Sequence, residues 1–249
     1  MTSKECLKYQ LVAAWCGIWF ELLYTIFWAG FGHNLPPVSP ALSAPDLAAY
    51  YQQHHQDILF GNCMAALVGI LWVPWTAQLT VTMARIEGAS PVLTVIQAIG
   101  GILTTWVLVF CPALWATAAF RTDTDPNIVR ALNDAGFILF NLTYACTSVQ
   151  AIAAGIVGLA DKSRQPVFPR WVSYWAIFTG LSFLPITAMP FFTTGPLAWN
   201  GAITFWGLFG TYFVWSASTG WSMVQDVRRR MREEAGVELR GGAVAAGRA

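Results

Sequence analysis

A single carboxylate, Glu21, sits in the otherwise uncharged run WCGIWFELLYTIFW, from Trp15 to Trp28. An acid at the centre of a bilayer-crossing helix costs roughly 2.5–3.5 kcal/mol or more on insertion, and an interhelical hydrogen bond returns only about 0.6 kcal/mol on average. In hydrocarbon the uncharged acid is the stable form. The chemistry Glu21 offers is therefore donation of a hydrogen bond or of a proton. Gly17, Tyr24 and Trp28 share its helical face, which is polar and aromatic rather than lipid-like.

Two further stripes have the same spacing. Asp134, Phe137, Asn141, Tyr144 and Ser148 form one; His54, Asp57 and Gly61, with Asn62 beside them, form another. Polar groups at membrane depth face the bundle interior or a watered cavity and pair there. The expectation is an outward-opening pocket between the first, second and fourth spans, with Glu21, Tyr24, Trp28, Asp57, Asn62, Asp134, Phe137 and Asn141 as ligand-binding residues. Glu21 is the candidate catalytic acid should the protein be an enzyme. The amides Asn62, Gln78, Gln97, Asn141 and Gln150 also have a plainer reading, as hydrogen bonds between helices.

His33, His54, His55 and Asp57 cluster at the outer rim. His54 and Asp57, one turn apart, are the weak candidates for metal ligands. Adjacent histidines point about 100° apart on a helix, the spacing matches no metal motif, and the expectation is no metal and no cofactor.

The elements that position these residues follow from composition. Of 249 residues, 56% are hydrophobic and 11% charged, against about 25% charged in soluble domains. The charges fall between long apolar runs, so the fold class is all-α, a polytopic bundle of six transmembrane helices over about 10–32, 58–83, 91–119, 132–160, 171–189 and 201–223. With both termini cytoplasmic, 12 of the 14 Lys and Arg lie inside and only Arg121 and Arg130 outside, as the positive-inside rule requires. The expected location is the plasma (inner) membrane, multi-pass. The first span is too long for a signal-peptide core and no A-x-A site follows it, so it is read as retained. Cys6, Cys16, Cys63, Cys111 and Cys146 form no C-x-x-C pair, which argues against a disulfide framework or a zinc site.

Outside the spans, 33–57 is an extracytoplasmic segment in which Ser43, Pro45 and Asp46 signal a helix start, with the helix continuing into the second span. Residues 224–249 form a basic cytoplasmic tail, suited to orientation and to anionic lipid. Of the 13 tryptophans, Trp15, Trp28, Trp115, Trp171, Trp175, Trp199 and Trp221 are placed near the interfaces, and Trp19, Trp72, Trp75, Trp106, Trp206 and Trp215 deeper.

Several classes are excluded. No lysine lies at mid-membrane depth for a retinal Schiff base, and no arginine ladder for a voltage sensor. Three histidines cannot furnish a multi-histidine di-iron site, and their rim position is wrong for haem. There is no H-E-x-x-H, no Walker A, no dinucleotide turn and no paired-aspartate magnesium motif, "DTD" at Asp123 to Asp125 being too short.

The stretches PPVSPALSAPDLAAYYQQHHQDILFG, RIEGASPVLTVIQAIGG and FPRWVSYW, continuing to FFTTGPLAWNG, resemble a group of uncharacterised small six-span bacterial membrane proteins. The resemblance covers most of the chain and implies six spans and no particular activity. The leading functional expectation is binding or passage of a small apolar or lipid-like molecule, alone or as a subunit of a larger membrane complex. Its partners would be membrane lipids, that ligand and other membrane proteins, with no nucleic acid. The alternatives are an acid-initiated isomerase or cyclase of an apolar substrate, with Glu21 as proton donor, and a structural membrane subunit.

Overall fold

The computed structural model describes residues 3–246. Among them there is no strand, and five helical stretches are long and apolar enough to cross a membrane: Ser3–Phe31, His55–Glu87, Val92–Ala119, Pro126–Ala160 and Arg170–Phe191. This is the build of a multi-pass helical membrane bundle. Its outer surface is apolar, as on α5 (Val92–Ala119), where Ile99, Ile102, Leu103, Trp106 and Phe110 are exposed.

Most of these stretches are interrupted, for local chemical reasons. The first runs as α1 (Ser3–Tyr24) and continues as π-helix over Thr25–Phe31. A short helix, α2 (Ala44–Gln53), starts where the sequence places it: the Ser43 hydroxyl accepts from the Asp46 N–H at 3.3 Å. It does not run on into the next span, because His54 leaves helical geometry (φ −109°, ψ 19°) and separates α2 from α3 (His55–Gly69). A second break, at Ile70 and Leu71, precedes α4 (Trp72–Glu87). The Pro74 ring would meet the Ile70 carbonyl in a continuous helix, and the Ile70 and Leu71 N–H groups bond three residues back instead of four.

The stretch expected over 132–160 divides into α6 (Pro126–Leu142) and α7 (Tyr144–Ala160). Here the Asn141 amide and Thr143 hydroxyl donate to the Phe137 and Leu139 carbonyls, at 2.8 and 2.7 Å, a competition with the backbone that bends helices. α8 (Arg170–Ser182) gives way to a 3-10 segment, Leu184–Phe191, at Pro185. The last stretch opens as π-helix over Ala202–Gly207 and becomes α9 (Leu208–Ala246), which covers part of the expected tail. Arg248 lies outside the described residues.

α5 is central, packed against α3, α4, α6 and α7, while α1 pairs with α9 and α7 with α8. Close approaches fix these crossings. A Cβ on Gly61 of α3 would lie 2.2 Å from the Gly32 nitrogen and 2.4 Å from the Phe31 carbonyl carbon, so only glycine lets α3 touch the end of the first span there. Trp72, Trp75 and Trp215 are wholly buried in the core. Trp28, Trp115 and Trp199, assigned by depth to the interfaces, are also core residues, at 3, 1 and 7% exposure. Conversely Trp19, Trp106 and Trp206 face outward. Depth along a helix does not report which face a side chain occupies.

Candidate functional site

A cavity of about 330 Å³ opens inside the bundle. The first span contributes Phe20, Tyr24, Trp28 and Ala29; α5 contributes Thr104, Val107 and Leu108; Phe140, Asn141, Thr143, Tyr144 and Thr147 come from around the α6–α7 break. Phe183 and Ile186 close a third side, and residues between Thr204 and Phe213 a fourth. The walls are mainly apolar and aromatic. Trp28 is stacked against Phe140 (centroids 5.3 Å, planes 13° apart) and Phe209 (5.4 Å, 9°), and Phe140 and Phe209 are themselves nearly parallel (6.1 Å, 7°). These parallel planes give the lining a slab-like grain.

The polar atoms are few and specific. Pro112 deprives the Leu108 carbonyl of its helical donor, and the Tyr24 hydroxyl donates to that carbonyl at 3.2 Å. The Thr104 and Thr147 hydroxyls are paired at 3.0 Å. Two donors in lining residues, Trp28 Nε1 and Tyr212 Oη, are buried without a hydrogen-bond partner. A buried unpaired donor costs about 1–3 kcal/mol, and both atoms are sealed among packed side chains rather than open to the cavity space.

Four lining residues are exposed: Thr25, Leu35, Trp206 and Gly210. Trp206 and Gly210 lie four residues apart at the π-to-α junction, and no atom lies within 4 Å of where a Gly210 Cβ would stand. Thr25, Trp206 and Gly210 lie along helical stretches and Leu35 just beyond the end of the first one, so the cavity's exposed rim reaches from the side of the bundle toward that end.

Of the eight expected ligand-binding residues, Tyr24, Trp28 and Asn141 line this cavity, joined by Tyr144 of the Asn141 stripe. Phe137 stands outside the lining, against Trp115 (4.9 Å) and stacked on Trp199 (5.2 Å, 9°). Asp134 accepts from Asn133, whose own Oδ1 accepts from Tyr51 in α2 at 3.0 Å. Asp57 faces His33, with 3.6 Å between Oδ2 and Nε2. Asn62 is fully buried as a helix-packing amide, donating to the Ile58 carbonyl at 2.8 Å and accepting from Asn34. Glu21 is outside the lining as well; its carboxyl is hydrogen-bonded to the Ser216 hydroxyl of α9.

The expected convergence of the first, second and fourth spans is thus corrected. α3 and α4 contribute nothing to the cavity, and the third and fifth stretches and residues 204–213 take their place. The physical reason is that the second stripe's polar groups are consumed locally, by Ile58, Asn34 and His33. Phe140, Phe209 and Tyr212 were missed because a search for polar residues passes over an aromatic box. Pro112, which frees a carbonyl within an apolar helix, was a readable signal.

At the opposite end of α1, the Asp226 side chain of α9 is 2% exposed and accepts from three arginines: Arg85 (2.7 Å), Arg229 (2.6 Å) and Arg230 (3.1 Å). Arg230 also donates to Gln10 at 2.6 Å, and Arg229 to the Gln165 side chain at 3.0 Å. This network ties α1, α4, the α7–α8 loop and α9 together. Nearby, Asp161 accepts from the Ser163 and Val167 N–H groups at 2.9 and 3.0 Å. Burial acts to raise the Asp161 carboxyl, but these backbone bonds, the Ser163 side chain and Arg229 hold it below its ordinary value.

No protein-family model matches the chain, and no curated protein or solved structure matches it significantly.

Proposed function

We propose that the protein binds one small, largely apolar molecule in the aromatic cavity and admits it from the bilayer through the flank at Trp206 and Gly210. The cavity carries this reading. At about 330 Å³ it falls at the lower end of the 300–1,000 Å³ typical of ligand pockets, a size for one small molecule or lipid tail rather than a whole phospholipid. The stacked faces of Trp28, Phe140 and Phe209 suit a flat or unsaturated body.

In this reading residues 201–223 make a sixth span, both termini are cytoplasmic, and the host is the plasma membrane. Arg85, Lys162, Arg164, Arg229 and Arg230 around Asp226 mark the cytoplasmic end. Reporters after Arg85, at Arg164 and after Arg232 then read inside, and those at Pro40, Asn127 and Gly195 outside; one on the wrong side breaks the six-span arrangement.

Glu21 serves as a cross-link between α1 and α9. Ser216 Oγ has one proton and lies within hydrogen-bond distance of both Glu21 and, at 2.8 Å, the Tyr212 carbonyl. An uncharged Glu21 that donates to Ser216 satisfies both bonds. Because Glu21 is outside the lining, the geometry favours binding over acid-initiated isomerisation.

The test is mass spectrometry of apolar compounds extracted from purified protein, wild type against Gly210→Phe. The expected result is one species near one copy per chain in wild type, unchanged in mass and structure on incubation, and depleted in the variant. Bound lipid indistinguishable between the two overturns the reading, and a rearranged product of equal mass would favour the enzyme.

A further inference from the structure

We propose that His33, His54 and Asp57 form a binding site for a divalent transition-metal ion of the zinc class. Each offers one ligand atom, and these atoms all lie within 4.8 Å of one another. In a tetrahedral zinc site with bonds near 2.0–2.2 Å, neighbouring ligand atoms are about 3.3–3.5 Å apart. His33 Nε2 and Asp57 Oδ2, at 3.6 Å, already have nearly that separation. Side-chain movement on the order of 1 Å brings in the remaining ligand.

Two pieces of backbone hold the ligands: the turn at His33, and the start of α3, where His54 is the capping residue and Asp57 lies in the first turn. His33 follows the π-helical end of the first span and takes the left-handed conformation, φ 54°, that non-glycine residues rarely adopt. The Gly32–Gly61 crossing presses that turn onto α3 one helical turn beyond Asp57, and buried Asn34 anchors the next residue through the Trp28 carbonyl (3.1 Å) and Asn62. His54 is the non-helical residue between α2 and α3, so its ring is freed from the direction a continuous helix would impose. The His33 and His54 rings lie 4.2 Å apart, and the Tyr50 ring packs against His54 at 4.8 Å.

Two imidazoles and one carboxylate are the donor set of zinc and neighbouring divalent ions, not of calcium or magnesium, which take oxygen ligands. The Asp57 side chain is 60% exposed and that of His33 28%. Three protein ligands with solvent access leave a position for water or an exchanging ligand. A bound ion would fasten the end of the first span to the α2–α3 junction. The inference is independent of the apolar cavity, none of whose lining residues belongs to this triad.

The experiment is calorimetric titration of zinc chloride into full-length, chelator-stripped protein in detergent. Wild type and His55→Ala, which alters the neighbouring histidine, should each bind one zinc per chain, and neither calcium nor magnesium should compete. His33→Ala, His54→Ala and Asp57→Asn should each weaken zinc binding by roughly tenfold or more, since even outer-shell losses at metal sites cost 10–100-fold. Zinc binding no tighter in wild type than in the triple variant, or equal loss in His55→Ala, overturns the proposal. X-ray absorption of the zinc-loaded wild type needs no variant. Two imidazoles and oxygen ligands are expected, and a sulfur ligand, from exposed Cys63 for example, or no imidazole scattering would overturn the site.

Discussion

Replacing Asp226 with alanine removes the one carboxylate shared by Arg85, Arg229 and Arg230. Breaking a buried ion pair by deleting one partner costs about 3–5 kcal/mol, because the remaining charge is left uncompensated. The guanidinium side chains are 37, 32 and 21% exposed, so they can turn partly to water, and exposed pairs are worth only about 0–1 kcal/mol. The lower end, about 3 kcal/mol, is therefore expected for Asp226→Ala. Arg85→Ala should cost only about 1 kcal/mol, because Asp226 keeps two arginines. Unfolding of the purified protein, followed by tryptophan fluorescence against a rising mole fraction of denaturing detergent, measures both. Asp226→Ala within about 0.5 kcal/mol of wild type, or Arg85→Ala as costly as Asp226→Ala, would refute the reasoning that this carboxylate organises the four elements.

Gly61→Ala forces backbone apart, at 2.2 Å from the Gly32 nitrogen, and should cost at least the roughly 1–3 kcal/mol of ordinary overpacking; Gly210→Ala, with open space around it, should stay within about 0.5 kcal/mol of wild type in the same assay. Tyr24→Phe leaves the Leu108 carbonyl without its donor and should cost about 1–2 kcal/mol in unfolding. Asp161, held below its ordinary value of 3.8, contributes stability that is present above that value and lost as pH falls through the folded one. Thermal unfolding from pH 6 to pH 3 should therefore destabilise wild type more than Asp161→Asn, whose curve should be the flatter.

The membrane class and the helical stretches were legible because insertion in hydrocarbon demands long apolar runs, and these survive any detail of packing. Ser43 as a helix start was legible too, being a local device. The breaks were half-legible: Pro74 and Pro185 announce theirs, whereas the α6–α7 break depends on the Asn141 and Thr143 side chains choosing backbone acceptors. The candidate site was the least readable part. Asn62 and Asn141 look alike in sequence, yet Asn62 serves packing while Asn141 reaches the cavity wall. His33 and Asp57, 24 positions apart, meet where Gly61 lets α3 approach the backbone at Gly32 closely, a crossing that no local pattern announces.

The claim that the aromatic cavity takes an apolar molecule from the bilayer is tested most directly by photolabelling the membrane-embedded protein with an alkyl diazirine and mapping the adducts by mass spectrometry. The account predicts saturable labels on cavity residues such as Trp28, Phe140 and Phe209, alongside unsaturable labels on lipid-facing Ile99, Ile102 and Val149. Gly210→Phe should remove the first set and leave the second. Labels confined to the lipid-facing residues in wild type, or cavity labels unaffected by Gly210→Phe, would contradict it.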